Sequence, residues 1–223
     1  MSRKNKLAKF RENQTFECLI QPLSDDMIAD NFSLKGHWNE QVFHNDNPIV
    51  LELGCGKGEY TIALAKHNLN INYIGIDIKG ARLWKGAKEA TLNNMPNVAF
   101  LRTRIDFIRS AFGSDEVSEI WITFADPQPK NANKRLTSPV FLDRYRSFLK
   151  KGSIINLKTD SQLLHKYSLE TAIEQNLEIL EYNSDIYGSG RVDNPNDILN
   201  VKTFYEQQFL AKGIPITYLA FKL

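Results

Sequence analysis

Three glycines and one aspartate in the first half of the chain could bind a nucleoside-type cofactor. Gly54, Gly56 and Gly58 alternate with other residues directly after an apolar run. Glycines at this spacing let the backbone turn sharply and approach a ligand without an intervening Cβ atom. Asp77 follows about 20 residues later, where a carboxylate can accept hydrogen bonds from ribose hydroxyls. A simple turn or a helix N-cap would explain each feature alone, but together they indicate a cofactor site.

The spacing of these glycines argues against a dinucleotide cofactor. The dinucleotide-binding turn has the pattern G-x-G-x-x-G, and the third glycine counted from Gly54 would fall at Glu59. A carboxylate is unfavourable where a pyrophosphate meets a helix N-terminus. S-adenosylmethionine has no pyrophosphate, so a site for that cofactor would tolerate Glu59.

From Pro48 onward, short apolar runs alternate with segments of helical character, which predicts parallel β units with right-handed crossovers. Ligands of such sheets lie at the carboxyl ends of the strands. The predicted strands are Ile49–Leu53, Asn72–Asp77, Val98–Leu101, Glu119–Phe124, Ser153–Leu157, Glu178–Tyr182 and Ile216–Leu223. The predicted helices are Glu59–His67, Ala81–Asn93, Asp106–Phe112, Val140–Leu149, Ser161–Gln175 and Phe204–Ala211. The predicted loops are Gly54–Gly58, Ala125–Thr137 and Tyr187–Asp197.

A second polar loop follows the fourth predicted strand. It reads Phe124-Ala125-Asp126-Pro127-Gln128-Pro129-Lys130, with Lys134-Arg135-Leu136 shortly after. The two prolines stiffen the loop, and Asp126 lies at the carboxyl end of the strand, facing the cofactor site. The basic residues suit phosphate contacts, although a solvated basic loop is the alternative.

These motifs resemble those of a known enzyme family. Val50–Gly58 looks like the first motif of class I methyltransferases, and the second loop is similar to F-x-D-P-W-P-K…K-R of tRNA (guanine-N7)-methyltransferases. Lys158-Thr159-Asp160 follows the fifth strand as in that family, and Thr203-Phe204-Tyr205-Glu206 resembles its T-x-[YF]-E segment. The similarity covers roughly residues 30–223. The chain departs from it at Gln128, where the family has tryptophan, and at Asn131-Ala132-Asn133, where the family loop is rich in histidine.

The resemblance implies a Rossmann-like α/β fold of the class I methyltransferases. Its sheet would be mostly parallel and seven-stranded, with helices on both faces and an antiparallel last strand. Residues 48–223 would form the methyltransferase domain. Residues 1–47 would form a basic N-terminal extension with a short helix.

The resemblance also implies S-adenosyl-L-methionine as cofactor, a guanine of tRNA as substrate, and a role for each motif residue. Guanine N7 carries a lone pair and no proton, so methylation needs in-line approach and electrostatic help rather than a general base. Asp126 is the implied catalytic residue, holding the N–H edge of guanine and offsetting the developing positive charge. The implied cofactor-binding residues are Glu52, Gly54, Gly56, Gly58, Asp77, Asp106 and Asp126. The implied substrate-binding residues are Lys130, Lys134, Arg135, Asp160, Thr203, Phe204, Tyr205 and Glu206.

Composition agrees with a water-soluble protein of one domain. The 223 residues are 42% hydrophobic and 24% charged, and no apolar run could span a bilayer. The two cysteines form no CxxC pair, the four histidines share no metal-ligand spacing, and no secretion signal precedes them. We therefore expect a cytoplasmic protein without a metal or a membrane partner. The sequence does not decide between monomer and dimer.

The N-terminus concentrates positive charge. Residues 1–12 carry a local charge of +4 in a chain whose formal net charge is +2. The segment is predicted either to contact phosphates or to be a passive, solubilising terminus. Two other classes of function fit part of the pattern. A methyltransferase acting on a small molecule or on another RNA would share the cofactor site, although a small-molecule enzyme would not need the basic loop. A non-enzymatic RNA-binding protein on the same fold would not need an intact glycine loop.

Overall fold

The apolar runs form the strands of one sheet in the computed structural model, which describes residues 3–194 and 196–223. Three neighbouring central strands, β2, β3 and β4 as numbered below, are buried along their whole length, because helices cover both faces of the sheet. The strands are β1 (Leu19–Ile20), β2 (Ile49–Leu53), β3 (Asn72–Ile76), β4 (Val98–Leu101), β5 (Val117–Thr123), β6 (Leu149–Thr159), β7 (Ile179–Asn183) and β8 (Thr217–Lys222).

The strand order across the sheet is β1-β4-β3-β2-β5-β6-β8-β7. Neighbouring strands are parallel except around β8, which is antiparallel to both β6 and β7. The predicted antiparallel last strand is thus confirmed. The predicted count of seven strands is one too low, because Leu19 and Ile20 add a two-residue parallel strand beside β4. Two residues are too few to produce a recognisable alternation of apolar and polar positions.

Seven α-helices lie along the described chain, and several short helical turns accompany them. The helices are α1 (Arg3–Glu12), α2 (Ser24–Ile28), α3 (Glu59–His67), α4 (Gly80–Leu92), α5 (Pro139–Arg146), α6 (Gln162–Glu174) and α7 (Phe204–Leu210). The predicted helix Asp106–Phe112 is instead a 3₁₀ helix over Ile105–Ser110. The predicted helix Val140–Leu149 ends at Arg146, because Leu149 pairs with Val117 and begins β6.

The two faces of the sheet bury separate apolar clusters. Leu51 and Leu53 of β2 point into one cluster, and Val50 points into the other with Tyr73 and Trp121. This alternation follows from the two-residue period of a strand. Strand β2 therefore has buried residues on both faces, as expected for its place between β3 and β5 in the middle of the sheet. Its carboxyl end leads directly into the glycine loop.

The first 47 residues pack against this sheet. Phe16 and Leu19 belong to one apolar cluster, and Trp38 is fully buried in the other. The indole Nε1 of Trp38 donates a hydrogen bond to the carbonyl of Ala111 at 2.9 Å. Helix α1 lies against α4. In the part of the chain that the structure describes, we find no helix both long and apolar enough to cross a membrane.

Candidate active site

The glycine loop joins β2 to α3 and is tied to the end of β3. The amide groups of Gly54 and Cys55 both donate to the carbonyl of Ile76, at 2.8 and 3.1 Å. Gly58 has φ of +72°, and a Cβ atom there would lie 2.5 Å from the ring of Phe100. Gly58 therefore has both a conformational and a steric reason to be glycine. The loop is consequently fixed on two sides by β3 and β4.

Glu52 lies in the interior beneath this loop. Its side chain is 3% exposed and accepts hydrogen bonds from the Thr61 amide at 2.7 Å, from the Thr61 hydroxyl and from the Thr123 hydroxyl. Burial raises the pKa of Glu52 to about 7, against the opposing effect of these hydrogen bonds. Glu52 thus connects the end of β2 to the first turn of α3 and to the end of β5.

Asp77 follows β3 and faces the glycine loop. Its Oδ2 accepts from the Gly56 amide at 3.0 Å, and its Oδ1 accepts from the Lys79 amide at 2.7 Å. A carboxylate oxygen can accept more than one hydrogen bond, so each oxygen retains capacity for a ligand. The structure therefore places Asp77 at the side of the loop where its sequence position predicted a ribose contact.

A cleft of about 450 Å³ opens at the carboxyl ends of the strands and brings several predicted residues together. Asp126 is exposed there, and its Oδ1 accepts the Gln128 amide at 2.9 Å. Asp106 is also exposed, and it pairs with Arg104 at 3.1 Å and with Arg144 at 3.4 Å. The predicted residues that line this cleft are Gly54, Asp77, Asp106, Asp126 and Lys134.

A smaller pocket of about 90 Å³ adjoins the cleft across Gly54 and includes part of the C-terminal segment. Thr203 and Tyr205 line it, together with Glu52 and Gly56. The segment is held there by the Phe204 amide, which donates to Glu59 of α3 at 2.9 Å. Residues about 150 positions apart in the chain thus meet beside the glycine loop.

Two predicted substrate contacts do not fit this arrangement. Glu206 is completely buried, where it caps α7 with Thr203 and pairs with Lys158. Arg135 is 8% exposed, its Nε donates to the Pro127 carbonyl at 3.0 Å, and its guanidinium lies 4.3 Å from the centroid of the Tyr167 ring. Glu206 thus has a buried cationic partner, and Arg135 is held by a carbonyl and an aromatic ring, so both side chains are anchored within the protein rather than directed at the cleft.

The remaining predicted substrate residues are at least partly accessible. Lys130, Lys134, Phe204 and Tyr205 are exposed, while Asp160 is half-buried after β6. Asp160 lies outside the residues that line the cleft and the smaller pocket. Burial raises its pKa. Sequence reasoning assigned no role to Thr61 and Thr123, whose hydroxyls contact Glu52, because a lone threonine in a strand or helix carries no distinguishing pattern.

Comparisons with known proteins agree with this geometry. A family model described as a putative methyltransferase matches residues 46–219. The tRNA (guanine-N(7)-)-methyltransferase of Christiangramia forsetii is 51% identical over the full length of both chains. The enzyme of that name from Bacteroides fragilis is 49% identical over 99% of this chain and 86% of its own. The chain belongs to the tRNA (guanine-N(7)-)-methyltransferase family.

The fold of this methyltransferase is also found in more distant proteins. The crystal structure of the 16S rRNA methyltransferase KamB superimposes with a TM-score of 0.62, over 82% of this chain and 91% of that chain. Because the two sequences are only 13% identical, the likeness shows a shared fold and nothing finer.

Gln128 is the departure from the family motif that lies closest to the site. It lines the cleft between two prolines, is half-buried and has φ of +46°. A non-glycine residue in the left-handed region is uncommon. Here the hydrogen bond from the Gln128 amide to the Asp126 carboxylate stabilises this left-handed conformation. The backbone at Gln128 therefore helps to fix the catalytic candidate, whatever its side chain contacts.

Proposed function

We propose that this protein transfers the methyl group of S-adenosyl-L-methionine to N7 of a guanine in tRNA, in the cytoplasm. The observation that carries the proposal is the cleft in which Gly54 and Asp77 face Asp126 and Lys134. One side of this cleft suits a nucleoside cofactor, and the other carries the carboxylate and the basic loop expected for RNA.

The residues on the β2 and β3 side fit the cofactor. A Cβ atom at Gly54 would meet no neighbour within 4 Å, so the backbone there is open to a ligand. Asp77, which accepts from the Gly56 amide, would also accept hydrogen bonds from the ribose hydroxyls, and Glu52 ties the end of β2 to the first turn of α3. When bound, S-adenosyl-L-methionine supplies a methyl group on a positively charged sulfur, ready for transfer to a nucleophile.

The β5 side suits the nucleophile. Guanine N7 needs no deprotonation, so the protein has to orient the base and offset the positive charge that develops on it. Asp126 is exposed at the cleft and can accept from the N–H edge of guanine. Lys130 and Lys134 on the same loop are exposed and would contact phosphates, which fix the register of the RNA.

A labelling experiment tests the proposal directly. The purified protein is incubated with radiolabelled S-adenosyl-L-methionine and tRNA from a strain lacking 7-methylguanosine, and the RNA is digested to nucleosides. We expect the label in 7-methylguanosine. Label in another nucleoside, or in none, would contradict the proposal.

The cofactor half is tested separately with Asp77→Ala, which removes the acceptor for the ribose hydroxyls. We expect the affinity for S-adenosyl-L-methionine to weaken by about 1–3 kcal/mol, as measured by calorimetry, and the affinity for tRNA to stay unchanged. Asp77→Asn is the matched control, because it retains one acceptor oxygen and should lose less. An unaltered cofactor affinity in Asp77→Ala would show that the ribose assignment is wrong.

A further inference from the structure

Lys158 is a buried lysine to which the proposed chemistry gives no task. Its side chain has no exposed surface, although it lies near the carboxyl end of β6 beside the active site. Its ammonium group donates to the Leu199 carbonyl at 2.7 Å and to the Val201 carbonyl at 2.9 Å, and it lies 2.7 Å from Oε1 of Glu206. These three partners match the three donors of an ammonium group.

The three partners of Lys158 bracket the C-terminal part of the site. Leu199 and Val201 precede Thr203, and Glu206 follows Tyr205 in the first turn of α7. Tyr187 donates a second hydrogen bond to Glu206, at 2.8 Å. Lys158 therefore holds the chain on both sides of Thr203 and Tyr205, the two residues that line the small pocket beside the glycine loop.

The main chain of Lys158 holds the other half of the site. Its carbonyl accepts the Phe124 amide at 2.9 Å. Phe124 has φ of +49° and begins the turn that leads to Asp126. One residue of β6 is thus bonded to the turn carrying the catalytic candidate and, through its side chain, to the C-terminal segment.

Stability alone is a weak explanation for this lysine. A buried ion pair gains little net free energy of folding, because removing both charges from water offsets their attraction. Burial lowers the pKa of Lys158, and the neighbouring Glu206 opposes that shift. A methionine would fill similar volume without the desolvation cost. What an apolar side chain cannot do is fix two carbonyls and a carboxylate in one geometry.

We propose that Lys158 is a positioning residue for methyl transfer, which fixes the segment from Leu199 to Glu206 against the glycine loop and the Asp126 turn. This role rests on the proposed function. It predicts that loss of the ammonium group loosens one segment and misplaces the substrate, while the cofactor side at Gly54 and Asp77 remains intact.

The test compares Lys158→Met with the wild type and with Lys222→Met. Lys222 lies in the same sheet, but it pairs with Glu178 at the surface at 2.9 Å, where an ion pair contributes little. At saturating tRNA and cofactor, the single-turnover rate of Lys158→Met should fall roughly 10- to 100-fold. Its cofactor affinity should stay within about 2-fold of wild type, because sites without shared partners act nearly independently. Lys222→Met should match the wild type in both.

Hydrogen exchange supplies a readout that does not depend on activity. In Lys158→Met, amides of residues 199–206 should exchange faster, while those of β2 and β5 keep their protection. Lys158→Arg, which keeps the charge and the donors, should recover part of both the rate and the protection. If Lys158→Met does not fold, Tyr187→Phe removes only the hydroxyl donated to Glu206, and it should show a smaller change in the same segment.

Several outcomes would overturn the positioning role. One is a wild-type rate in Lys158→Met. Another is faster exchange spread evenly over the whole protein, which would indicate a stability effect only. A third is unchanged hydrogen exchange of residues 199–206 in the folded variants, which would show that Lys158 does not hold this segment. If the wild type itself fails to methylate tRNA, the proposed function is wrong, and the exchange data still decide whether Lys158 holds the segment.

Discussion

The carboxylates around the glycine loop differ mainly in how far water reaches them. Glu52 is buried under three hydrogen-bond donors, and Asp77 is 9% exposed with two backbone donors. Asp126 is exposed, with one backbone donor. Buried and fully bonded groups hold a loop in place, whereas an accessible carboxylate with free acceptor capacity can meet a substrate. This difference separates the positioning role of Glu52 from the catalytic role proposed for Asp126.

Replacing Asp126 by alanine should reduce methyl transfer by about 10²–10³-fold, because a partner of the developing charge is lost. Cofactor binding should remain nearly intact. Asp126→Asn should retain more activity than Asp126→Ala, because asparagine keeps one acceptor oxygen. That oxygen can accept the hydrogen bond from the Gln128 amide and one from the guanine. Single-turnover rates at saturating tRNA and cofactor measure both effects. Equal rates for alanine and wild type would make Asp126 structural, and an asparagine variant as inactive as alanine would show that charge outweighs hydrogen bonding.

The raised pKa of Glu52 has a consequence for stability. The pKa lies near 7 in the folded protein against an ordinary value of 4.5. Between these values the folded state binds more protons than the unfolded state, so the free energy of unfolding falls as pH rises through this window. In Glu52→Gln this fall should be absent. The free energy of unfolding of the variant should therefore rise by about 1–3 kcal/mol relative to that of the wild type between pH 4.5 and 7. Urea unfolding across that range measures it, with the exposed Glu170→Gln as control. Parallel curves for wild type and Glu52→Gln would contradict the assigned pKa.

At the scale of elements, the glycine loop is shaped by the strand and helix beside it. Gly58 abuts the ring of Phe100 in β4, and a Cβ atom on Gly86 of α4 would lie 2.9 Å from the Lys57 carbonyl. Helix α4 therefore packs almost directly on the loop. Small residues at both contacts are what permit this approach.

The contribution of this close packing can be separated from backbone strain with two alanine variants. Gly58 and Gly152 have similar φ, +72° and +78°, but only Gly58 has neighbours within 4 Å of a Cβ atom. Each alanine should cost about 1–2 kcal/mol for a left-handed backbone. Gly58→Ala should cost about 1–3 kcal/mol more for overpacking against Phe100. Urea unfolding provides both values, and equal losses would mean that Phe100 moves aside without cost.

At the scale of the whole molecule, the basic N-terminus is docked beside the active site. Glu12 of α1 bonds to Lys88 at 2.8 Å and to the Trp84 indole at 2.6 Å, both on α4. The ammonium group of Lys9 lies 4.0 Å from the centroid of the Trp84 ring. At the N-terminal end of α4, Arg82 and the preceding Lys79 line the cleft. Lys9 of α1 and Lys88 of α4 thus lie on the same side of the protein.

Removing charge from α1 tests whether this side contacts RNA. Lys6 and Arg11 are exposed, so Lys6→Gln with Arg11→Gln leaves the contacts of Glu12 and Lys9 in place. The double variant should bind tRNA more weakly, and the slope of log affinity against log salt should flatten by about 1–2 units. Cofactor affinity should not change. Lys150→Gln with Lys151→Gln is the control at the other end of the sheet. An unchanged slope in the α1 variant would show a passive terminus.

The sequence by itself determined the features that depend on neighbouring residues. Strands β2, β3 and β4 follow from short apolar runs, and the glycine loop and Asp77 follow from spacing alone. Their meeting in one cleft follows from parallel topology, and the antiparallel last strand expected from the family resemblance is also confirmed.

Only the tertiary structure decided which polar side chains face the cleft and which are buried. Arg135 stands in a basic loop and reads as a phosphate contact, but Tyr167 and the Pro127 carbonyl enclose it. Lys158 reads as a charge at the end of a strand, and its partners come from a segment more than 40 residues away. Burial and pairing of this kind arise when distant elements pack together, so no local pattern of residues encodes them.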